Sequence, residues 1–234
     1  MTRVLAGVTA SVEKRVLLWL AARMPAWVSS DQLTALALTA MVLAGASFWL
    51  SRYTPLGLPA VVVCLALNWF GDSLDGTLAR VRRQERPRYG FYVDHVVDAL
   101  GAACLLAGLA LSGYMSPLVA IGLLAAYLML CVETFLATYC LGRFTMSHFG
   151  FGPTELRLLL ATGSLALLKW PTTELAGRMV RVFDIGGVCG IAGMLLIFLY
   201  TAAMHTRELS RAEPLVPNGT QRRLNLGGGA GVQH

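Results

Sequence analysis

The sequence predicts an all-α polytopic membrane protein with six transmembrane helices, preceded by an N-terminal amphipathic helix that lies on the membrane surface. Hydrophobic residues make up 56% of the 234 residues and charged residues only 14%, with a mean hydropathy of +0.62. A soluble domain carries about 25% charged residues, so this chain lacks the polar side chains to cover a water-exposed surface. The second observation is a series of apolar runs long enough to cross a bilayer.

The first segment, 3–26, has apolar residues at helical spacing, with cationic residues between them. The apolar positions are Val4, Leu5, Val8, Val12, Val16, Leu17, Leu20 and Met24, and the cationic positions are Lys14, Arg15 and Arg23. This pattern is typical of a helix lying in the plane of the membrane surface, and its charges make a seventh span the weaker interpretation. We assign residues 1–30 to this amphipathic, interfacial region.

Six apolar runs follow. Crossing ~30 Å of hydrocarbon takes about 20 helical residues. The runs cover residues 32–50, 56–79, 91–112, 117–140, 155–170 and 184–204, of which 155–170 is the shortest. Together they predict one transmembrane domain, residues 31–206. Residues 207–234 are polar and glycine-rich, which predicts a flexible cytosolic tail.

The arginines and lysines predict the orientation of the spans. When the predicted connections are assigned to alternate sides of the membrane, fifteen of these residues fall on one side and four on the other. Cationic residues are enriched on the cytosolic side of membrane proteins. Both termini and the connection between the second and third spans are therefore expected in the cytosol.

Four aspartates flank that connection. Asp72 and Asp75 are spaced i, i+3, and Asp94 and Asp98 are spaced i, i+4, so each pair lies on one face of its helix. Antiparallel helices joined by a short loop would bring the pairs together, where the carboxylates repel one another unless a cation lies between them. Hard oxygen ligands favour Mg²⁺ or Mn²⁺. The alternative, four separate solvated charges, fits poorly because Asp94 and Asp98 lead into a fully apolar run.

Small residues and an arginine accompany the carboxylates. Gly76, Ala79 and Gly90 lie on the same helix faces, where they either leave a cleft for a ligand or allow close helix packing. Arg80 shares the helical face of Asp72, and an arginine beside a bound divalent ion is suited to holding a phosphate.

The order and spacing of these residues carry a family resemblance. Residues 72–98 read D-x2-D-G-x2-A-R-x9-G-x3-D-x3-D, with all eight fixed positions filled. This pattern resembles the signature of the CDP-alcohol phosphotransferase family, integral membrane enzymes of phospholipid synthesis with six spans and usually a homodimeric state. In such enzymes an alcohol hydroxyl attacks the distal phosphorus of a CDP-linked donor, and CMP leaves.

The resemblance also implies roles for individual residues. Asp72, Asp75 and Asp94 are expected to bind two Mg²⁺ or Mn²⁺ ions, with Asp98 contributing and acting as the general base. Gly76, Ala79 and Gly90 would make room for the cytidine nucleotide, and Arg80 would contact phosphate. The expected partners are CDP-diacylglycerol or a CDP-amino alcohol, an alcohol or lipid acceptor and membrane lipids, with no nucleic acid.

The identity of the acceptor stays open. The segments "DHVVD" (94–98) and "GPTELR" (152–157) resemble the amino-alcohol branch, which would place His95 and Glu155 in the acceptor pocket. Both residues also have ordinary explanations, helix packing for His95 and a first-turn carboxylate for Glu155. Arg143 and Arg157 could instead grip a phosphorylated acceptor, although the positive-inside bias accounts for them too.

One alternative is not an enzyme. A membrane cation transporter could use the carboxylate cluster as its ion site, since intramembrane aspartates are common in such proteins. The cluster is expected at one interface rather than at the membrane midplane, and no inverted repeat is visible, which disfavours this interpretation. Glu133, inside the fourth predicted span, is a further buried ionisable residue with no assigned role.

Overall fold

The computed structural model describes residues 10–142 and 153–214, and it confirms an all-α polytopic membrane protein. The helices are α1 (Ala10–Arg23), α2 (Ser30–Leu50), α3 (Gly57–Val81), α4 (Pro87–Ser112), α5 (Pro117–Leu141), α6 (Pro153–Ala166) and α7 (Val182–Ala212). A short antiparallel hairpin, β1 (Thr172–Leu175) and β2 (Arg178–Arg181), separates α6 from α7. The described part of the chain divides after Phe198 into two compact units.

Five of the six predicted spans correspond to helices long and apolar enough to cross a membrane, namely α2, α3, α4, α5 and α7. The remaining run, 155–170, corresponds to α6, which has 14 residues and is therefore only about 21 Å long. Its helix ends at Ala166, and residues 167–169 form a turn that leads to Trp170, where the following Pro171 disfavours helical geometry. Hydrophobicity alone could not separate that turn from the helix.

The hairpin was not predicted. Thr172 pairs with Arg181 and Leu175 pairs with Arg178, which leaves a two-residue loop of Ala176 and Gly177. Both loop residues have positive φ angles, 50° and 75°, as a type I′ turn requires. Residues of β1 and β2 are largely exposed, so the hairpin is a surface connection outside the helical core.

The N-terminal helix packs on α3. Leu17 and Ala21 are buried in one cluster with Leu74 and Leu78 of α3. Val12, Val16 and Trp19, on another side of α1, are exposed apolar side chains. The described helix α1 lies inside the predicted segment 3–26, whose residues 3–9 lie outside the described residues. Its placement on the membrane surface stays a prediction.

The core depends on close crossings of α2 with its neighbours. A Cβ atom built on Gly108 of α4 would lie 1.9 Å from the carbonyl oxygen of Gly45 on α2, and one built on Gly45 would lie 2.2 Å from the carbonyl oxygen of Cys104. A Cβ on Gly71 of α3 would lie 2.5 Å from the carbonyl oxygen of Leu33. Small residues at such crossings let helix backbones approach each other, as is common in membranes. Both α3 and α4 therefore lie directly against α2.

The connection between α3 and α4 is held to the start of α2. Arg82 donates hydrogen bonds to the carbonyl oxygens of Met24 (3.1 Å), Pro25 (2.8 Å) and Val28, which form the link from α1 to α2. Arg86 forms an ion pair with Asp31, and this hydrogen bond raises the pKa of the Arg86 guanidinium. At least two of the arginines in this loop thus have structural partners.

Candidate metal and active site

Three of the predicted carboxylates converge. One oxygen each of Asp72 on α3 and of Asp94 and Asp98 on α4 lie within 4.8 Å of one another, and all three side chains are partly buried. The i, i+4 spacing on α4 points Asp94 and Asp98 to one side, and α4 is joined to α3 by the five-residue connection 82–86. The carboxylate trio is the name used below for Asp72, Asp94 and Asp98.

A cleft separates the helices that carry the trio. The helices α3 and α4 each pack extensively against α2 but make few direct contacts with one another. A Cβ atom on Gly90 would meet none of the described atoms within 4 Å, and one on Gly76 would meet only the guanidinium of Arg80, at 3.6 Å. The space between α3 and α4 is thus lined by carboxylates and bordered by small residues.

The trio lies inside the helices rather than at their ends. Helix α3 continues to Val81 and α4 begins at Pro87, so both extend past the predicted spans toward the connecting loop. Because a helix rises about 1.5 Å per residue, Asp72, Asp94 and Asp98 lie roughly 10–16 Å from those helix ends. Pro87 occupies the first turn of α4, where its missing N–H and fixed φ suit a helix start.

Asp75 points toward a different partner. Its carboxylate accepts a hydrogen bond from Thr34 Oγ1 of α2 (2.6 Å) and one from the backbone N–H of Gly76. Its carbonyl oxygen accepts from Ser30 Oγ (3.0 Å). Asp75 still lies close enough to Asp72 and Asp94 for the negative charges to repel one another. The structure therefore brings three carboxylates together and directs the fourth toward α2, and the metal role of Asp75 stays a prediction.

Arg157 on α6 contacts the trio directly. Its Nη2 donates to Asp72 Oδ2 at 2.5 Å, and its Nε donates to Asn68 Oδ1 at 2.7 Å. The side chains of Arg157 and Asp72 are 15% and 20% exposed, so this ion pair is largely shielded from water. Asn68, one turn before Asp72, also donates to the carbonyl oxygen of Ala37 (3.1 Å). The guanidinium thus lies where a phosphate bound near the trio would come within its reach.

The other predicted ligand-binding residues are distributed around the cleft. Arg80 is exposed and donates to Thr77 Oγ1 at 3.1 Å, and Ala79 is partly buried. His95 is buried between the rings of Phe91 and Phe135, with ring centroids 4.2 and 4.8 Å away, and its Nδ1 lies 3.9 Å from Asp94 Oδ2.

Of the four predicted acceptor residues, Glu155 and Arg157 belong to α6. Glu155 is partly buried in the first turn of that helix. Arg143 lies outside the described residues.

Sequence reasoning did not single out Asn68 or Glu13. Asn68 could have been found, because it is a polar residue four positions before Asp72 in an otherwise apolar run, on the same helical face. Glu13 had no such signal. It lies in the first turn of α1 among residues that read as the polar side of an amphipathic helix, yet its carboxylate contacts both α3 and α6.

The donor set fits Mg²⁺ or Mn²⁺. Three carboxylate oxygens from separate side chains lie within the distance that one ion can span, and neither histidine nor cysteine belongs to the trio. Hard oxygen ligands of this kind suit Mg²⁺ and Mn²⁺, whereas zinc sites usually recruit nitrogen or sulfur ligands.

Comparison with known proteins assigns the family. No curated protein matches the chain. The family model for CDP-alcohol phosphatidyltransferase matches residues 27–206, which include α2 to α6, most of α7 and the whole carboxylate trio, but not α1. The matched region is more than two thirds of the chain. The chain therefore belongs to the CDP-alcohol phosphatidyltransferase family, whose members transfer phosphate-containing groups in phospholipid synthesis.

Proposed function

We propose that this chain moves a substituted phosphate group from a CDP-linked donor to an alcohol hydroxyl, with release of CMP, in a metal-dependent reaction at the cytosolic membrane interface. The observation that supports this proposal most strongly is the convergence of Asp72, Asp94 and Asp98 within 4.8 Å in a cleft between two helices. A diphosphate needs concentrated positive charge to bind there, and the trio can hold that charge as divalent ions.

The metal ions would be held by Asp72, Asp94 and Asp98, with Asp75 as a further ligand. A pair of divalent ions neutralises the charge of the diphosphate and stabilises both the entering and the leaving oxygen of a phosphoryl transfer. Gly76, Ala79 and Gly90 leave room for the cytidine nucleotide, a role that the open space at Gly90 supports. Arg80, exposed and adjacent to Gly76, contacts a phosphate of the donor.

Asp98 is the proposed general base. The oxygen of the acceptor hydroxyl forms a bond to the distal phosphorus of the donor while the bond from that phosphorus to the bridging oxygen breaks. CMP carries away the bridging oxygen and its electron pair, and the hydroxyl proton passes to the Asp98 carboxylate. Proton acceptance by a carboxylate within hydrogen-bond reach typically accelerates such a step by 10²- to 10⁴-fold.

Asp98→Asn is therefore expected to lower kcat by about 10²-fold or more, a larger factor than the accompanying change in the KM for the CDP-linked donor. An amide has nearly the same shape as a carboxylate but cannot accept the proton. Steady-state kinetics of CMP release measures both constants. If kcat and donor affinity fall by equal factors, Asp98 acts as a metal ligand alone and not also as the base.

Two classes of reaction remain open, one with a phosphorylated acceptor and one with an amino alcohol. Arg157 bears on the first and His95 on the second. Arg157 lies against Asp72, where it could meet a phosphate group of an acceptor such as glycerol 3-phosphate or inositol phosphate. His95, proposed for an amino-alcohol pocket, is only 8% exposed and packs between two phenylalanines. Both reactions, CDP-diacylglycerol with an alcohol and a CDP-amino alcohol with diacylglycerol, therefore belong in the experiment.

The test is CMP release by purified protein with Mn²⁺ and matched donor and acceptor pairs, with the lipid product identified by mass spectrometry. Acceptors for CDP-diacylglycerol are glycerol 3-phosphate, inositol, inositol phosphate and serine, and diacylglycerol is offered with CDP-choline or CDP-ethanolamine. We expect one pair to release CMP in proportion to lipid product. Metal flux in liposomes without any nucleotide turnover would instead support the transporter.

The membrane arrangement is part of the proposal. The fifteen-to-four distribution of arginines and lysines supports cytosolic termini and a cytosolic opening of the cleft. The exposed Val12, Val16 and Trp19 support placement of α1 at the membrane surface, as the first part of a three-part organisation into residues 1–30, 31–206 and 207–234. A homodimer is proposed from the family resemblance.

A further inference from the structure

One carboxylate of the N-terminal helix joins three helices. Glu13 Oε1 accepts a hydrogen bond from Trp69 Nε1 at 2.8 Å and one from Ser73 Oγ at 3.3 Å, both on α3. The same oxygen accepts from Thr154 Oγ1 of α6 at 2.9 Å. Trp69 and Ser73 are spaced i, i+4 on α3, so they present their donors to Glu13 from one helical face.

The residues that contact Glu13 are close in sequence to Asp72 of the carboxylate trio and to Arg157, which binds Asp72. Ser73 follows Asp72 directly, and Thr154 precedes Arg157 by three residues, about one helical turn. Arg157 in turn donates to Asp72 and Asn68. Hydrogen bonds and two short backbone segments, 154–157 of α6 and 72–73 of α3, therefore connect Glu13 to Arg157 and Asp72.

Helix α1 and the link that follows it also have contacts that do not involve Glu13. Leu17 and Ala21 are buried against Leu74 and Leu78 of α3, which gives α1 an apolar contact of its own. Arg82 also holds the chain between α1 and α2 through three carbonyl oxygens. The three hydrogen bonds that the Glu13 carboxylate accepts next to the site therefore indicate a role beyond the attachment of α1.

We propose that Glu13 is a positioning residue for the carboxylate trio: it holds the first turn of α6 against α3, so that Arg157 stays on Asp72. This role rests on the proposed function, since it concerns the geometry of that site. It also gives α1, which precedes the region shared with the family, an indirect part in activity. Catalytic groups misplaced by about 1 Å can lose on the order of 10²-fold in rate.

The test compares variants by steady-state CMP release. Glu13→Ala removes all three acceptor bonds and is expected to lower kcat by about tenfold or more, with the KM for the CDP-linked donor changed by less than about twofold. Glu13→Gln keeps a carbonyl oxygen at the same place and is expected to retain kcat within about threefold. Glu174→Gln, the same change in the exposed strand β1, serves as the matched control and should be unaffected.

A double-mutant cycle separates positioning from general support of the fold. If Glu13 acts through Arg157, then Glu13→Ala should lower kcat no further in an Arg157→Ala background, whereas independent effects multiply. Thr154→Val, which removes only the hydroxyl donor from α6, is a second variant and should also lower kcat in the wild-type background. If Glu13→Ala does not fold, kcat of Thr154→Val tests the positioning role in its place.

Several results would overturn the inference. Wild-type kcat in Glu13→Ala or in Thr154→Val, or a cycle in which the effects of Glu13→Ala and Arg157→Ala multiply, would each remove this role while leaving the proposed function intact. Absence of CMP release from the wild-type protein with every donor and acceptor pair would overturn the proposed function and this role together.

Discussion

Replacing Asp94 by asparagine should lower kcat for CMP release by about 10²- to 10³-fold and leave the protein folded. Asp94 supplies one of the three carboxylate oxygens that lie within 4.8 Å of one another. An amide of the same size removes one negative charge and binds hard cations far less well, so the cation charge available to the diphosphate falls. Its packing is unchanged, because Asp94 and asparagine have nearly the same shape.

The measurement pairs CMP release with thermal unfolding in detergent. Asp184→Asn provides the matched control: Asp184 Oδ1 accepts from the backbone N–H of Ser116 at 2.6 Å, and the asparagine oxygen can accept the same bond. We expect Asp184→Asn to stay within about twofold of wild-type kcat. Wild-type turnover by Asp94→Asn would mean that the trio does not carry the reaction.

Gly108→Ala should destabilise the helix bundle by at least about 3 kcal/mol, at the upper end of overpacking costs. The added Cβ would lie 1.9 Å from the carbonyl oxygen and 2.5 Å from the Cα of Gly45, both backbone atoms that cannot rotate away. Helices α2 and α4 would have to separate where they cross, which also opens the buried cluster of Phe48, Leu105 and Leu109. For a chain of this size, that cost lowers Tm by about 6–12 °C.

Gly193→Ala on α7 is the matched control, because its Cβ would meet none of the described atoms within 4 Å. Alanine has the higher helix propensity, so this variant should keep or slightly raise the wild-type Tm. The Tm of each variant is compared with that of the wild type, with thermal unfolding monitored by light scattering or size-exclusion chromatography. An unchanged Tm for Gly108→Ala would show that the backbones of α2 and α4 are not in the close contact described.

Local sequence patterns predicted those features of the fold that depend on a single helix, such as its position in the chain and its length. Apolar runs predicted α2, α3, α4, α5 and α7 to within a few residues at most ends, because burial in lipid requires a continuous apolar surface. The largest differences are at the start of α4 and the end of α7, where polar residues continue the helix beyond the apolar run. Propensity and hydrophobicity diverge there, since arginine and glutamate are good helix formers.

The site was predicted in part for the same reason. The i, i+4 spacing of Asp94 and Asp98 places them on one side of α4 whatever surrounds the helix. Asp72 and Asp75 are about 60° apart around α3, so both cannot point directly at α4. Which of them does so depends on how α3 is rotated against α2. In the structure Asp75 accepts a hydrogen bond from Thr34 of α2, so Asp72 is the one that faces α4. No local pattern in the sequence predicts this hydrogen bond.

Long-range partners could not be predicted from spacing. Arg157 and Asp72 are 85 positions apart, and Glu13 and Thr154 are 141 positions apart, so only the packing of α6 on α3 and of α1 on α3 brings them together. The loop arginines show a related point. Charge asymmetry assigns them to one side of the membrane, which stays a prediction, whereas their individual contacts, such as that of Arg82 with the carbonyl oxygens before α2, depend on the fold.

Direct measurement of Mn²⁺ binding tests the central claim, that Asp72, Asp94 and Asp98 hold divalent ions between α3 and α4. Electron paramagnetic resonance would follow the loss of the free Mn²⁺ signal as purified protein is added, for the wild type, the triple variant D72N/D94N/D98N and the control Asp184→Asn. The wild type and the control should each bind about two equivalents, and the triple variant should bind none in the same concentration range. Equal Mn²⁺ binding by the triple variant, with its fold intact, would contradict the assignment of the metal site to this cleft.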